Sequence, residues 1–108
     1  MSVHPQAKAV ASLIYRLCKT HELIWAHDGE EFTKLSTMKV SAAKAEALDV
    51  ITSVDESTLN VKNKKTDRNT TLFIVLGNGN DELVCDYICG DDSLDDIIFE
   101  HSEYWENK

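Results

Sequence analysis

The densest group of chemically capable side chains in this chain is Asp91-Asp92-Ser93-Leu94-Asp95-Asp96. Hard cations such as calcium and magnesium need several oxygen ligands close together, so this run is a candidate cation site and, with it, a candidate centre for metal-dependent hydrolysis. Its spacing argues otherwise. A calcium loop of the EF-hand type alternates its acids, places glycine sixth and glutamate twelfth, and none of that order is present. Ser93 and Asp96 instead have capping-box spacing, with Asp in place of the usual Glu or Gln. Carboxylates in the first turn of a helix meet its free N–H groups and its positive dipole end. The run reads as the start of a helix, and no residue is assigned to a metal.

The remaining reactive side chains form no site either. His4, His21, His27 and His101 could join Cys18, Cys85 and Cys89 around zinc, but Cys85 and Cys89 are the only near pair among them. On a strand these two cysteines lie about 13 Å apart on one face, too far for a disulfide. They share that face with Leu83 and Tyr87 and read as small core residues. An odd cysteine count without an export signal points to reduced thiols. His27 and Asp28 could act as a base and an acid, yet they sit at an expected hairpin tip, where exposure weakens pKa tuning. There is no nucleophile elbow, phosphate-binding loop or dinucleotide fingerprint; Gly77-Asn78-Gly79 joins two expected antiparallel strands. No catalytic residue and no cofactor are assigned. Lys62, Lys64, Lys65 and Arg68 form the best basic cluster, but Asp67 interrupts it and lysines commonly protect sheet edges at such turns.

Charge is distributed more tellingly than these groups. The 108 residues carry a net charge of −8, but residues 1–77 sum to +1 and residues 78–108 to −9. Such an acidic segment repels nucleic-acid phosphates and anionic membranes and attracts basic protein surfaces. The length suits one domain with its own core. No apolar run approaches the roughly 20 residues of a membrane span, and the first residues lack the character of a secretory signal, so the expected compartment is the cytoplasm.

The elements that must position these residues follow from periodicity. Ala7, Val10, Ala11, Ile14, Leu17 and Cys18 step by three and four after Pro5, which predicts a helix over about 5–20. Residues 23–27 and 31–35 flank the turn signal Asp28-Gly29 and predict a hairpin. Val40, Ala43, Ala47, Ile51 and Val54 predict a second helix over about 39–53. Residues 58–62, 70–76 and 83–89 read as a three-stranded meander whose middle strand is apolar on both faces. Leu94, Ile97, Ile98, His101 and Trp105 predict a third helix over about 93–105. The order α-β-β-α-β-β-β-α implies an α+β fold, with an antiparallel sheet of three to five strands and helices on one face.

Three segments, Asp28-Gly29-Glu30-Glu31-Phe32, 53–59 (Ser-Val-Asp-Glu-Ser-Thr-Leu) and 76–87 (from Leu76-Gly77-Asn78 to Cys85-Asp86-Tyr87), resemble those of small acidic proteins found in phages and prophages. The resemblance spans most of residues 20–90. It implies a phage-related origin and supplies no catalytic or binding residues.

The expected function is that of a small non-enzymatic interaction protein, a phage accessory factor that presents an acidic face to a basic protein partner. Asp81, Glu82, Asp86, Asp91, Asp92, Asp95, Asp96, Glu100, Glu103 and Glu106 would carry it, with Tyr104 and Trp105 as aromatic anchors. A sharper version is a DNA mimic, in which carboxylates stand in for phosphates. Asp91, Asp92, Asp95 and Asp96 have a structural reason as a helix start. Glu100, Glu103 and Glu106 have none, which moves the weight of the expectation to the outer face of the third helix. The alternatives are a homodimer, joined through an edge strand or the Tyr104-Trp105 end, and the metal-dependent hydrolase. Direct nucleic-acid or membrane binding is not expected.

Overall fold

The computed structural model describes residues 5–88 and 91–106. The elements run α1 (Ala7–Leu17), β1 (His21–His27), β2 (Phe32–Lys34), α2 (Val40–Thr52), β3 (Glu56–Asn63), β4 (Asn69–Val75), β5 (Val84–Ile88) and α3 (Asp92–Glu106). The five strands form one antiparallel sheet in the order β2-β1-β3-β4-β5. The fold is α+β in the order that periodicity implies.

Alternation along the strands decides which face is covered. Leu59 and Val61 of β3, Leu72 and Ile74 of β4, and Leu23 and Ala26 of β1 join one core with residues of all three helices. Val10, Leu13, Ile14 and Leu17 of α1 are at most 2% exposed, since α1 lies between α2 and α3 and is packed from several sides. The small residues Ala43 and Ala47 bring α2 close to β1 and β3. All three helices thus lie on one face of the sheet, and among the described residues the opposite face is uncovered.

α1 stops at Leu17, earlier than the expected residue 20. Its last turn tightens as Lys19 N–H and Thr20 N–H donate to the carbonyls of Arg16 and Leu17, and the chain passes directly into β1. The first hairpin turns on Asp28. Its Oδ1 accepts the N–H groups of Glu30 (2.9 Å) and Glu31 (2.7 Å), and Gly29 supplies the positive φ of +99°. Those two N–H groups, Glu31 foremost, hold the Asp28 carboxyl below its ordinary range.

The loop between β4 and β5 is tied down from the start of α1. The Gln6 side chain accepts the Gly77 N–H (2.7 Å) and donates to Asn80 Oδ1 (3.1 Å). Beyond that loop the register slips between Phe73 and Ile74, so that Asp86 opposes Phe73 and Val84 opposes Ile74. Such a bulge adds one residue and reverses the side-chain alternation across it. Cys85, expected in the core beside Leu83 and Tyr87, is therefore exposed, while Leu83 is buried. Cys89, the other half of that expectation, lies outside the described residues.

Candidate interaction surface

α3 is held in place by its inner side. Leu94 and Ile97 join the core, and His101 is buried with its Nε2–H donating to the Ala9 carbonyl of α1 at 2.9 Å. Burial, reinforced by the Arg16 charge, pushes the His101 pKa below its ordinary value against the opposing effect of that hydrogen bond. The imidazole is thus a neutral packing group at pH 7.

The helix start is fixed two residues before the expected Ser93. Asp91 is the cap: its Oδ1 accepts the Leu94 N–H at 2.8 Å, the third amide of the helix. Asp91 Oδ2 accepts from Asn63 Nδ2 (3.1 Å) and faces the buried His21 Nε2 at 3.4 Å. Asn63 Oδ1 in turn accepts the N–H groups of Lys65 and Thr66 in the β3–β4 turn. Burial tends to raise the Asp91 pKa, but the Leu94 N–H, the Asn63 amide and His21 together hold it below the ordinary carboxylate value. Asp91 thus stitches α3 to β1 and β3 and does not join the outer acidic surface. Both Ser93 and Asp91 are good caps by residue type; Asp91 is the one that also meets Asn63 and His21.

The remaining acids divide by direction. Asp92, Asp95, Asp96, Glu103 and Glu106 are exposed along the outer side of α3. Phe99 stands among them, 63% exposed, one turn from Asp95, Asp96 and Glu103. Asp95 also accepts the Tyr87 hydroxyl from β5, which raises the pKa of that phenol. Glu100 lies on the flank of the helix that faces α1, with Arg16 Nη1 at 3.7 Å from its Oε2. Its charge therefore has the structural partner that its sequence position did not reveal.

Tyr104 lies under the Arg16 guanidinium, 5.4 Å from the ring centroid, and meets Trp105 edge-on. Trp105 packs partly against the core, which leaves it little reach as an anchor. Phe99 is the better placed aromatic. The sequence carried a signal for it, since Phe99 falls off the Leu94, Ile97, Ile98, His101 stripe and between acids.

Asp81 and Glu82 extend the acidic region. A crevice of about 330 Å3 separates their turn from α3, with Leu83, Ile98 and Ser102 among its walls. Asp86 does not belong to this side: opposite Phe73 and in line with Thr58, it lies on the uncovered sheet face. Among the described residues no three His, Cys, Asp or Glu side chains gather as metal ligands. None of their helices is long and apolar enough to cross a membrane.

Two of the four members of the basic cluster are occupied locally. Lys64 Nζ donates to the Cys18 carbonyl at the end of α1 (3.0 Å), and Lys62 Nζ is 3.8 Å from Glu22 Oε2. Half-burial raises the Cys18 thiol pKa despite the nearby Lys44 and Lys64, which keeps it protonated and unreactive.

Comparison with known protein families, with curated proteins and with solved structures finds no match to this chain.

Proposed function

We propose that this chain is a non-enzymatic interaction protein, a cytoplasmic phage accessory factor whose α3 presents a carboxylate-ringed Phe99 to a basic protein surface. The carrying observation is the exposure of Phe99 at 63% in the middle of an acidic helix face. A partner pocket edged by Lys or Arg would desolvate the exposed ring and pair with the acids around it.

The charge arrangement supports the same reading. Asp92 and Asp96, and Asp96 and Glu100, are like-charged neighbours four residues apart, which weakens a helix. α3 has no basic residue in its last turn, and Glu106 stands at its negative dipole end. Glu106 is carried at a cost to the helix, whereas Asp92 and Asp95 in the first turn also meet its positive end, and a binding role accounts for the balance of outward acids.

From Asp92 to Glu106 the six carboxylates of α3 follow one another on average about every 4 Å along the helix axis. One strand of DNA offers a charge about every 3.4 Å. The two spacings are similar, and it is Phe99 at the centre of the row, with no counterpart in a phosphate backbone, that favours a basic pocket with an apolar floor. Affinity capture from an extract of the producing cell tests the reading by comparing wild type with Phe99→Ala and with Asp92→Asn/Asp96→Asn/Glu103→Gln. The expected result is a basic protein held by wild type alone and released as salt rises. Equal capture by all three forms would remove α3 from the account.

A further inference from the structure

The crevice between the β4–β5 turn and α3 gathers polar groups that the fold leaves unused. Its volume is about 330 Å3, and Leu13, Leu83 and Ile98 give it an apolar lining. Asp81 and Glu82 line it from the turn and Ser102 from α3. Among the described residues, neither carboxylate nor the Ser102 hydroxyl has a hydrogen bond or an ion pair. The turn itself is well fixed. The Glu82 N–H donates to the Gly79 carbonyl at 3.0 Å, and Gln6 holds Gly77 and Asn80 of the same loop. Asp81 Oδ1 lies so close to the loop backbone that a Cβ on residue Gly79 would meet it at 2.6 Å.

His101 adds a buried acceptor. It is only 3% exposed, and it too lines the crevice. Its Nε2–H is given to the Ala9 carbonyl, which leaves Nδ1 of the neutral ring a bare acceptor with no donor among the described residues. Because burial keeps the ring neutral at pH 7, it does not repel a cation. A guest that satisfies these groups must bring a positive charge, several N–H donors and an apolar stem. An ammonium concentrates its charge at one strongly hydrated point. A guanidinium spreads five donors over a plane, is more weakly hydrated, and pairs with a carboxylate through two parallel bonds. The crevice volume stands near the lower end of the roughly 300–1,000 Å3 of small-molecule pockets, which suits one such head group and its alkyl chain.

We infer that this crevice binds one alkylguanidinium cation, the group that an arginine side chain and small free guanidines share. The planar head pairs with the Asp81 carboxylate and turns its remaining donors to Glu82, Ser102 and His101 Nδ1, while the methylenes lie against Leu83 and Ile98. The inference does not rest on the proposed role of α3, because Phe99 takes no part in lining the crevice.

Amide NMR titration of the labelled protein tests it with N-acetyl-arginine amide, with agmatine, and with N-acetyl-citrulline amide, which keeps the shape of the arginine probe without its charge. A guanidinium probe is expected to shift residues 81–84 and 98–102 with a Kd on the order of 1 mM. The tighter of the two charged probes names the source: the amide stands for a side chain, agmatine for a free small molecule. Asp81→Asn is expected to weaken binding about tenfold or more, since it removes the charge that pairs with the head group. Ser102→Leu fills the crevice, leaves both carboxylates in place and is expected to abolish the shifts. Phe99→Ala should bind the probes as wild type does. No shifts at these residues with either charged probe at about 20 mM would overturn the inference, as would equal binding of the citrulline probe or undiminished binding by Ser102→Leu. Each of those results leaves the reading of Phe99 standing, and equal partner capture by wild type and Phe99→Ala leaves the crevice standing.

Discussion

The two sides of α3 answer to different demands. On the inner side the polar groups hold the structure together, since Asp91 caps the helix and holds Asn63, and His101 reaches Ala9. On the outer side Asp92, Asp96 and Glu106 lie along the face that carries the exposed Phe99, and Glu106 acts against the helix dipole at its C-terminal end. The difference teaches that one acidic segment of sequence holds two kinds of acid. Only the direction each one faces tells them apart.

Substitutions can break or sharpen that contrast, and the largest effect belongs to the inner side. Leu94 is fully buried. Leu94→Ala is expected to lower stability by about 2–5 kcal/mol in urea unfolding, from lost burial and the cavity left behind. Asp91→Ala removes a cap and leaves Asn63 without its acceptor, for an expected loss of about 1–3 kcal/mol. Because the folded Asp91 pKa is depressed, its contribution is present above about pH 4 and disappears as pH falls through the lower folded value. A stability profile from pH 6 to pH 2 should therefore fall less steeply at its acid end for Asp91→Ala than for wild type.

His101 gives a third, smaller effect in a different pH window. Its folded pKa lies below the unfolded value, so its neutral form contributes full stability above about pH 6.5. That stability declines as pH falls from there toward the folded value. Thermal unfolding between pH 7 and pH 5 should show the decline in wild type and a flatter line in His101→Gln. An identical slope in both would mean that His101 is not held neutral by burial.

The smallest effect has the opposite sign. Glu106→Lys places a cation at the negative end of α3 and is expected to stabilise the protein by about 0.3–1 kcal/mol. A destabilisation instead would give Glu106 a structural role and take it out of the binding surface.

The fold was largely legible because strong period signals survive any local irregularity. The α1 stripe from Ala7 to Cys18 and the alternation in β3 and β4 place helices and strands without reference to neighbours. The bulges in β1 and between β4 and β5 were not legible, since a single added residue leaves composition unchanged and reverses a face. That reversal exposed Cys85 and put Asp86 on the uncovered side of the sheet. The candidate surface was legible in its acids and not in its geometry. Glu100 meets Arg16 across 84 positions of chain, and Asp91 meets His21 across 70. No spacing rule within α3 reveals either contact, whereas the position of Phe99 between acids and off the core stripe could have been read from the helical period alone.

The proposed role of α3 is to bind a basic protein surface around Phe99 with its outer side. Its most direct test is an amide NMR titration of the labelled protein with a Lys/Arg-rich peptide that carries one leucine or tryptophan. The account predicts shifts concentrated at residues 92–106, largest around Phe99, weakened by salt and reduced in Phe99→Ala. Shifts confined to the sheet face around Phe73, or the same shifts in the Phe99→Ala variant, would contradict it.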